Sequence, residues 1–297
     1  MPHGWLILDK PPGLGSTQAV GAVKRVLRQG GYGKVKVGHG GTLDPLAEGV
    51  LPIALGEATK LAGRMLDATK IYDFTIRFGE ETDTLDQSDI LPALATIERA
   101  ISSFIGDIEQ VPPAYSAIKI DGRRAYDRAR SGEAIDMPVR CVTIYGITLL
   151  ATGAEQAQIR WATLRAHVSK GTYIRSLARD IALALGTLGH VTYLRRVKAG
   201  PFTEKQAISL DKLEEIAKGA SLQDLLLPLE AGLDDIPALQ LDPESAQAAR
   251  QGRVLSGLPH GDGLHLALLG KVPVALMELV AGTARVVRGF NLPDVAE

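Results

Sequence analysis

The stretch GHGGTLDPLAEGVLPIALGEATK, which starts at residue 38, places one aspartate, Asp44, after closely spaced glycines and before a proline. Glycines let a loop pack more closely than other residues allow, so Asp44 can be a carboxylate held at the rim of a pocket. It can also be a helix N-cap, because Asp favours that position and Pro45 suits the first helical turn. The second interpretation predicts a helix with Leu46, Val50 and Leu51 at helical spacing.

Two other stretches place a tyrosine near a cation. Tyr72 follows Lys70 by two residues on the predicted strand IYDFTIRFG, and Tyr173 and Arg175 begin the predicted helix TYIRSLARDIALALG. The first turn of a helix has free backbone N–H groups that favour anions. Ordinary structural roles are the alternative, because a strand tyrosine is commonly half-buried and a helix arginine is commonly solvated.

Together these groups suit chemistry on a nucleic-acid base. An arginine in two-point contact keeps a carboxylate ionised and oriented, while a tyrosine face stacks on a base and basic segments hold phosphates. The segment 111–133 adds two tyrosines and a run of bases that can instead be an exposed face, and the segment 81–86 is acidic. Since the metal-binding, phosphate-loop, dinucleotide and GxSxG motifs are absent from the sequence, we expect no metal and no cofactor.

The composition is that of a globular protein of about two domains. The chain has 297 residues, of which 45% are hydrophobic and 23% charged. Its single cysteine, Cys141, excludes a disulfide framework within the chain and suits the cytoplasm. The apolar stretch GWLIL is too short for a signal peptide, and Lys271 and Pro273 interrupt the C-terminal apolar stretch, so we expect no membrane segment.

Charge is segregated along the chain although the formal net charge is only −1. Residues 1–40 and 158–200 are rich in Lys and Arg, whereas 80–109 and 201–235 are rich in Asp and Glu. A chain patterned in this way can build one basic face, which favours a polyanionic partner. The alternative is that folding mixes these blocks.

Hydrophobic periodicity predicts an α+β fold. Strands are expected at 4–10, 71–79, 142–151 and 157–169, and helices are expected at 16–28, capped by Ser16 or Thr17, and at 172–186. The elements do not alternate regularly, which favours α+β over a βαβ fold. The stretch 228–240 reads as a linker, and the helix and strands after it predict a small β-rich domain at 236–297 behind a larger domain at 1–235.

Five successive motifs carry a resemblance to a known family. They are GWLILDKPPGLGS, GHGGTLDPLAEGVLPIALGEATK, KIYDFTIRFGEETDTLD, QVPPAYSAIKIDGRRAYDRARSGE and SKGTYIRSLARDIALALGTLGHVTYLRRVKAGPF. In order and spacing, over about residues 4–235, they resemble the TruB family of tRNA pseudouridine synthases. The resemblance implies a pseudouridine-synthase-type catalytic domain with a mixed bent sheet. It also implies a PUA-like RNA-binding domain at 236–297.

The resemblance also implies roles for individual residues. Asp44 is the catalytic aspartate, Tyr72 stacks on the target base and helps to move its C5 proton, and Arg175 pairs with Asp44. The expected substrate and RNA contacts are His39, Tyr173, Leu194, Lys10 and Lys60. Three routes stay open for Asp44: attack on C6 of the base, attack on C1′ of the sugar, and removal of a sugar proton.

The implied substrate is the T-arm of tRNA, whose T-loop uridine, conventionally numbered 55, is isomerised after it is flipped out of its loop. We expect a cytoplasmic monomer that needs no protein partner. One rival is a guide-RNA-dependent, dyskerin-like synthase, which we disfavour because this chain enters its first motif at residue 4. The other rival is a non-catalytic RNA-binding or tRNA-folding protein, against which intact Asp44, Tyr72 and Arg175 argue.

Overall fold

The computed structural model describes residues 1–80, 90–116, 118–120, 122–133, 135–155, 158–219 and 221–293, so the acidic segment 81–86 lies outside the described residues. The α-helices are α1 (Ser16–Gln29), α2 (Ala62–Asp67), α3 (Leu94–Ser103), α4 (Ala125–Arg130), α5 (Ile174–Ala184), α6 (Leu210–Glu214) and α7 (Pro243–Arg250). The strands are β1 (Gly4–Lys10), β2 (Val37–His39), β3 (Glu48–Leu55), β4 (Lys70–Phe78), β5 (Gly106–Gln110), β6 (Lys119–Ile120), β7 (Arg123–Arg124), β8 (Arg140–Glu155), β9 (Gln158–Val168), β10 (Gly189–Ala199), β11 (Phe202–Thr203), β12 (Ala238–Gln240), β13 (Leu255–Ser256), β14 (Gly263–Leu269), β15 (Val272–Val280) and β16 (Thr283–Gly289).

The predicted elements are confirmed, with ends that shift by a few residues. The strand predicted at 142–151 extends over Arg140–Glu155, and the helix predicted at 172–186 is Ile174–Ala184. Mixed strands and helices confirm the α+β class. Among the described residues, no helix is long and apolar enough to cross a membrane.

The chain packs as two compact units. Unit 1 comprises Met1–Pro45, Gly49–Leu66 and Gly200–Glu297, and unit 2 comprises Leu46–Glu48 and Asp67–Ala199. In unit 1, β1 and β2 both pair antiparallel with β3. Apolar side chains of β1 and β3 pack with α1 and with Leu213, Ile216 and Leu222 in one core. Burial of these side chains stabilises the entry to the Asp44 loop.

The C-terminal part of unit 1 forms a sheet of its own. The strand order is β12-β14-β15-β16-β13, and α7 packs with this sheet around a separate apolar core. This arrangement confirms the small β-rich domain. The stretch predicted as a linker contains β12, which pairs in parallel with Leu266–Leu268 of β14. The boundary between residues 235 and 236 stays a prediction.

Unit 2 is built on five antiparallel strands in the order β10-β4-β9-β8-β5. Phe74 and Ile76 of β4 are fully buried with Leu177 and Ile181 of α5 in the core of this unit. Successive strand residues point to opposite faces, so the face that carries Phe74 is covered by this core and the other face is not. We call the second one the outer face.

Two local expectations are wrong. Helix α1 has Gly15 at its N-cap, because the Ser16 hydroxyl is bonded to the backbone of Leu43 instead. No helix follows Asp44, since residues 45–46 form a turn and β3 begins at Glu48. The N-cap interpretation of Asp44 is therefore excluded.

Candidate active site

Asp44 lies in a loop of unit 1 that requires glycine at Gly40 and Gly41, at the first because of close packing and at the second because of its backbone angle. A Cβ on Gly40 would lie 2.6 Å from Cβ of Met65, and Gly41 has a φ of 133°, which favours glycine. Gly40 donates its N–H to the carbonyl of Pro52 at 2.8 Å. The loop is thus fixed at its start, as the glycine pattern predicted.

Residues on both sides of Asp44 are bonded to the turn that follows β1. The Ser16 hydroxyl accepts the N–H of Leu43 at 2.8 Å and donates to the Leu43 carbonyl at 2.9 Å. The Pro45 carbonyl accepts the N–H of Gly13 at 2.8 Å and Nζ of Lys10 at 3.2 Å. These contacts fix the backbone on either side of a partly exposed Asp44, which is what a positioned reactive group requires.

Lys10 is buried in this arrangement. Its side chain is fully excluded from solvent, and Nζ also donates to the carbonyls of Pro11 at 2.9 Å and Leu14 at 2.7 Å. These contacts give Lys10 a part in holding the loop that carries Asp44. Its predicted contact with RNA stays a prediction.

The two hydrogen bonds between the Ser16 hydroxyl and the backbone of Leu43 clamp the loop before Asp44, and deleting this hydroxyl tests the clamp. We expect Ser16→Ala to lower the free energy of unfolding by about 2 kcal/mol, because a buried N–H and a buried carbonyl of Leu43 both lose their partner. The maximal rate of pseudouridine formation should fall roughly tenfold with little change in the Michaelis constant. Thr17→Ala, which removes an exposed hydroxyl next to it, is the control and should change neither quantity. Equal stability of Ser16→Ala and wild type would contradict the clamp.

His39, the last residue of β2, stands at the entrance to the same loop. It pairs with Ile53 across the strands, and its Nδ1 accepts the N–H of Gly41 at 3.4 Å. The ring is half-buried, so part of it is open to a ligand. Its predicted support of the loop nucleotides stays a prediction.

In unit 2, Tyr72 and Leu194 lie on the face of the sheet that α5 covers. Both are partly buried against the core of the unit, Tyr72 on β4 and Leu194 opposite Phe74 on the neighbouring strand β10. An aromatic ring and an aliphatic side chain on the same face of adjacent strands can form two walls of a base-sized pocket.

Two buried cations flank Tyr72. Lys70 is 7% exposed and lies two residues before Tyr72 on β4, on the same face of the strand. Arg196 is 1% exposed and is the pairing partner of Tyr72 on the neighbouring strand β10. Burial, together with the positive charges of Arg196 and Lys170 and against the negative charge of Asp67, lowers the pKa of Lys70 to about 8. The surroundings of Tyr72 are therefore positive, which suits a nucleotide whose phosphates are negatively charged.

The lowered pKa of Lys70 predicts a pH-dependent stability. An unfolded lysine keeps its proton up to about pH 10.5, whereas folded Lys70 loses it at about 8, so the unfolded state holds more protons between these values. The contribution of Lys70 to the free energy of unfolding therefore rises with pH in that window and is constant below it. Relative to Lys70→Met, the wild-type free energy of unfolding should rise by about 3 kcal/mol from pH 8 to pH 10.5.

Urea unfolding of the free protein at both pH values measures this difference. Lys212→Met is the control, because it removes the same charge from a side chain that is 52% exposed and does not contribute to the pKa of Lys70, so it should leave the pH dependence unchanged. A wild-type profile parallel to that of Lys70→Met would show that Lys70 is not penalised by burial.

Tyr173 and Arg175, at the start of α5, are held by contacts that the sequence did not reveal. Gln110, which is 2% exposed, accepts the N–H of Tyr173 at 2.7 Å and donates to its carbonyl at 3.1 Å. The Ser176 hydroxyl donates to the carbonyl of Val111 at 2.7 Å, and Nη2 of Arg175 donates to the carbonyl of Tyr115 at 2.9 Å. The segment 110–115 therefore orients the first turn of the helix.

A second contact missed by the sequence fixes the strand that carries Leu194. Glu48 accepts Nη1 of Arg195 at 3.1 Å, and this pair is partly buried. Burial and the nearby charge of Glu48 raise the pKa of Tyr193. Glu48 therefore connects the beginning of β3 to Tyr193 and Arg195, the residues before and after Leu194 on β10.

Lys60 also has contacts within unit 1. Its Nζ lies 2.7 Å from Oε2 of Glu57 and donates to the carbonyl of Gly289 at 2.8 Å. Glu57 in turn accepts the N–H of Asn291 at 2.8 Å. Burial alone would raise the pKa of Glu57, but the bonds from Lys60 and Asn291 outweigh it and hold the pKa below its usual value. This pair fastens the end of β16 to the rest of the unit, and the predicted RNA contact of Lys60 stays a prediction.

The predicted site residues are thus divided between the units. Unit 1 carries Asp44, His39, Lys10 and Lys60, and unit 2 carries Tyr72, Tyr173, Arg175 and Leu194. The predicted pairing of Arg175 with Asp44 joins residues of different units and stays a prediction. No group of three or more His, Cys, Asp or Glu side chains suited to a metal occurs in the described part of the chain.

Comparison with known proteins relates the whole chain to pseudouridine synthases. Residues 24–174 match the profile of the TruB family pseudouridylate synthase N-terminal domain, and residues 175–234 match the tRNA pseudouridylate synthase B C-terminal domain. The tRNA pseudouridine synthase B of Novosphingobium aromaticivorans is 65% identical, with 100% of each chain covered. That of Zymomonas mobilis is 57% identical over 97% of this chain and 96% of its own.

Solved structures give the same result for the fold. A Cbf5-Nop10-Gar1 complex contains a chain with a TM-score of 0.71 and 29% identity, covering 93% of this chain and 78% of that one. An H/ACA RNP bound to a substrate RNA containing 2'-deoxyuridine contains one with a TM-score of 0.74 and 27% identity, covering 98% and 86%. The fold resemblance therefore spans nearly the whole chain.

Proposed function

The chain belongs to the TruB family of pseudouridylate synthases and makes pseudouridine in tRNA, and on that premise we propose that it modifies the T-loop uridine at position 55 with Asp44 as the catalytic aspartate. The observation that carries the proposal is the clamped loop around Asp44. Ser16 and Leu43 fix one side of this residue, and Lys10 and Pro45 fix the other.

The reaction is an isomerisation, so its atoms balance within the nucleotide. The N1–C1′ bond breaks, the base turns, a C5–C1′ bond forms, C5 loses a proton and N1 carries one in the product. Asp44 supplies the carboxylate that makes and breaks the temporary bond or removes the sugar proton. Tyr72 stacks on the base and takes part in removing the C5 proton. The buried cations Lys70 and Arg196 favour an anionic nucleotide beside it.

The remaining residues complete the proposed binding site. Arg175 keeps Asp44 ionised and aimed through a planar two-point contact. Tyr173 and Leu194 line the pocket for the base, and His39 supports the nucleotides next to the flipped one. Lys10 and Lys60 are proposed RNA contacts whose ammonium groups also hold the fold.

We also propose that the enzyme acts alone on tRNA, as a cytoplasmic monomer that recognises the T-arm. The guide-RNA-dependent alternative is not favoured, because the relatives that match at 65% and 57% identity are tRNA pseudouridine synthase B, whereas the chain of the Cbf5-Nop10-Gar1 complex matches at 29%. The non-catalytic alternative is not favoured on the same comparison. Residues 236–297 form a proposed PUA-like RNA-binding domain, for which the separate sheet and core give support.

Mapping of pseudouridine tests the proposal directly. Purified protein is incubated with an unmodified tRNA transcript, and every uridine is examined for conversion. We expect pseudouridine at position 55 and no reaction in a matched transcript with cytidine there. Conversion of a different uridine would refute the position, and a lack of conversion in any unmodified tRNA would refute the assignment to the free enzyme.

A further inference from the structure

The outer face of the unit 2 sheet carries a wide groove that has no part in the site proposed above. Its volume is about 970 Å³, within the range of pockets that hold a nucleotide-sized ligand. It is lined by Thr75, Arg77, Gly153, Ala154, Arg160, Trp161, Thr163 and Thr192. We call it the outer groove.

An aromatic ring forms part of its wall. Trp161 is 39% exposed, although it lies within β9 and pairs with Gly153 on β8 and Arg77 on β4. A Cβ on Gly153 would lie 2.1 Å from Nε1 of the indole, so only glycine allows the ring to lie against this strand. The indole is therefore held in one place with part of its surface open to solvent, as a stacking platform requires.

The outer groove carries basic side chains in its described lining. Both charged side chains among its described lining residues, Arg77 and Arg160, are arginines. Arg77 lies 3.3 Å from Glu80, but the side chains are 58% and 45% exposed, so a ligand can replace this ion pair at little cost. Guanidinium groups bind phosphate in a two-point manner, which makes the groove complementary to a nucleic-acid backbone.

Hydroxyl groups complete the lining. Thr75 and Thr163 lie opposite each other, with their hydroxyl oxygens 2.8 Å apart, and the Thr192 hydroxyl lies 3.5 Å from the carbonyl of Thr75. Each hydroxyl can both donate and accept a hydrogen bond. An aromatic face, two guanidinium groups and a row of hydroxyls match the base, phosphate and sugar of one nucleotide.

The position of the groove excludes the target base as its ligand. Tyr72 lies on the face of the sheet that is covered by the core, whereas Thr75 and Arg77 of the same strand lie on the outer face. A nucleotide stacked on Tyr72 and a nucleotide in the outer groove are therefore on opposite sides of the sheet. The groove is therefore separate from the site proposed for the target nucleotide.

We propose that the outer groove binds an unpaired nucleotide of the tRNA outside the T-arm, with its base on Trp161 and its phosphates near Arg77 and Arg160. The inference rests on the proposed function only in taking tRNA as the ligand and the T-arm as the target. Such a contact adds affinity for a whole tRNA without entering the reaction.

The experiment compares two RNAs, a full-length unmodified tRNA transcript and its isolated T-arm stem–loop. Full-chain Trp161→Ala should bind the whole tRNA about tenfold more weakly and the stem–loop within about twofold of wild type. Trp161→Phe, which keeps an aromatic face, should retain most of the affinity. The maximal rate of each variant at saturating RNA should be unchanged, because Trp161 lies outside the proposed active site.

The charges are tested by salt dependence. Arg160→Gln should reduce the slope of log affinity for whole tRNA against log salt by about one. Arg99→Gln is the matched control, since it removes the same charge from an exposed position on α3 of the same unit. It should bind whole tRNA with the wild-type slope.

Three results would overturn the proposal. The first is unchanged affinity of Trp161→Ala for whole tRNA, and the second is an equal loss for both RNAs. The third is a difference in sedimentation between the Trp161→Ala variant and the wild type in the absence of RNA, which would identify the groove as a contact between copies of this chain. Failure of the wild type to modify position 55 would refute the proposed function instead, and the binding comparison would still decide the groove.

Discussion

Replacement of Asp44 by asparagine is expected to abolish pseudouridine formation while leaving tRNA binding within about tenfold of wild type, roughly 1.4 kcal/mol. The exchange is nearly isosteric, so the loop should keep its shape. The backbone of Leu43 remains bonded to Ser16, and the Pro45 carbonyl remains bonded to Gly13 and Lys10. The exchange removes the negative charge and one carboxylate oxygen of residue 44 and leaves its surroundings unchanged.

Pseudouridine formation in tRNA, measured with a saturating excess of the Asp44→Asn variant over tRNA, gives the residual rate of a single turnover. Asp224→Asn, which removes an exposed carboxylate from the same unit, is the control and should keep the wild-type rate. A normal rate for Asp44→Asn would show that another group performs the reaction. A large loss of binding would show that the loop, and not the charge alone, had changed.

Much of the fold could be predicted because it follows from local patterns. The alternation in IYDFTIRFG places Phe74 and Ile76 on one face and Thr75 and Arg77 on the other, and the structure confirms this. The apolar stripe of the predicted helix likewise faces the core of unit 2 through Leu177 and Ile181. Such patterns depend only on the period of the element and on which side is buried.

The contacts that position the site could not be predicted in the same way. Ser16 reads as a helix cap in the sequence, yet its hydroxyl is bonded to Leu43, which is 27 residues away. Gln110 holds Tyr173 across 63 residues, and no local pattern marks it. These bonds depend on strand register and loop packing, which are properties of the folded chain and not of a short window.

The charge pattern gives a further example. The Lys and Arg residues concentrated at 1–40 and 158–200 suggested a basic face, but Lys10 and Arg196 are buried, and Arg165 is paired with Asp73 at 2.6 Å. The groove next to Trp161 depends on Gly153, which lies beyond the end of the strand predicted at 142–151 but within the observed strand Arg140–Glu155. Pairing between strands decides which charges reach solvent.

Replacement of Arg175 by lysine is the second change with a large expected effect, because it keeps the charge and removes the planar fork. We expect the maximal rate of pseudouridine formation to fall roughly hundredfold, about 2.7 kcal/mol, with a much smaller change in tRNA binding. Arg175 is half-buried at the start of α5, where its Nη2 donates to the Tyr115 carbonyl at 2.9 Å. A lysine ammonium can donate to the Tyr115 carbonyl or contact the carboxylate of Asp44, but it lacks the planar group that would let it do both at once.

Arg179→Lys is the matched control for this change, one helical turn further along α5. Its Nη2 donates to the carbonyl of Val111 at 3.2 Å and pairs with Asp180, so it undergoes the same exchange beside the same segment. Single-turnover rates at saturating tRNA should separate the two variants, with Arg179→Lys near wild type. If Arg175→Lys keeps the maximal rate and only binds tRNA more weakly, Arg175 contacts a phosphate, and its predicted pairing with Asp44 is wrong.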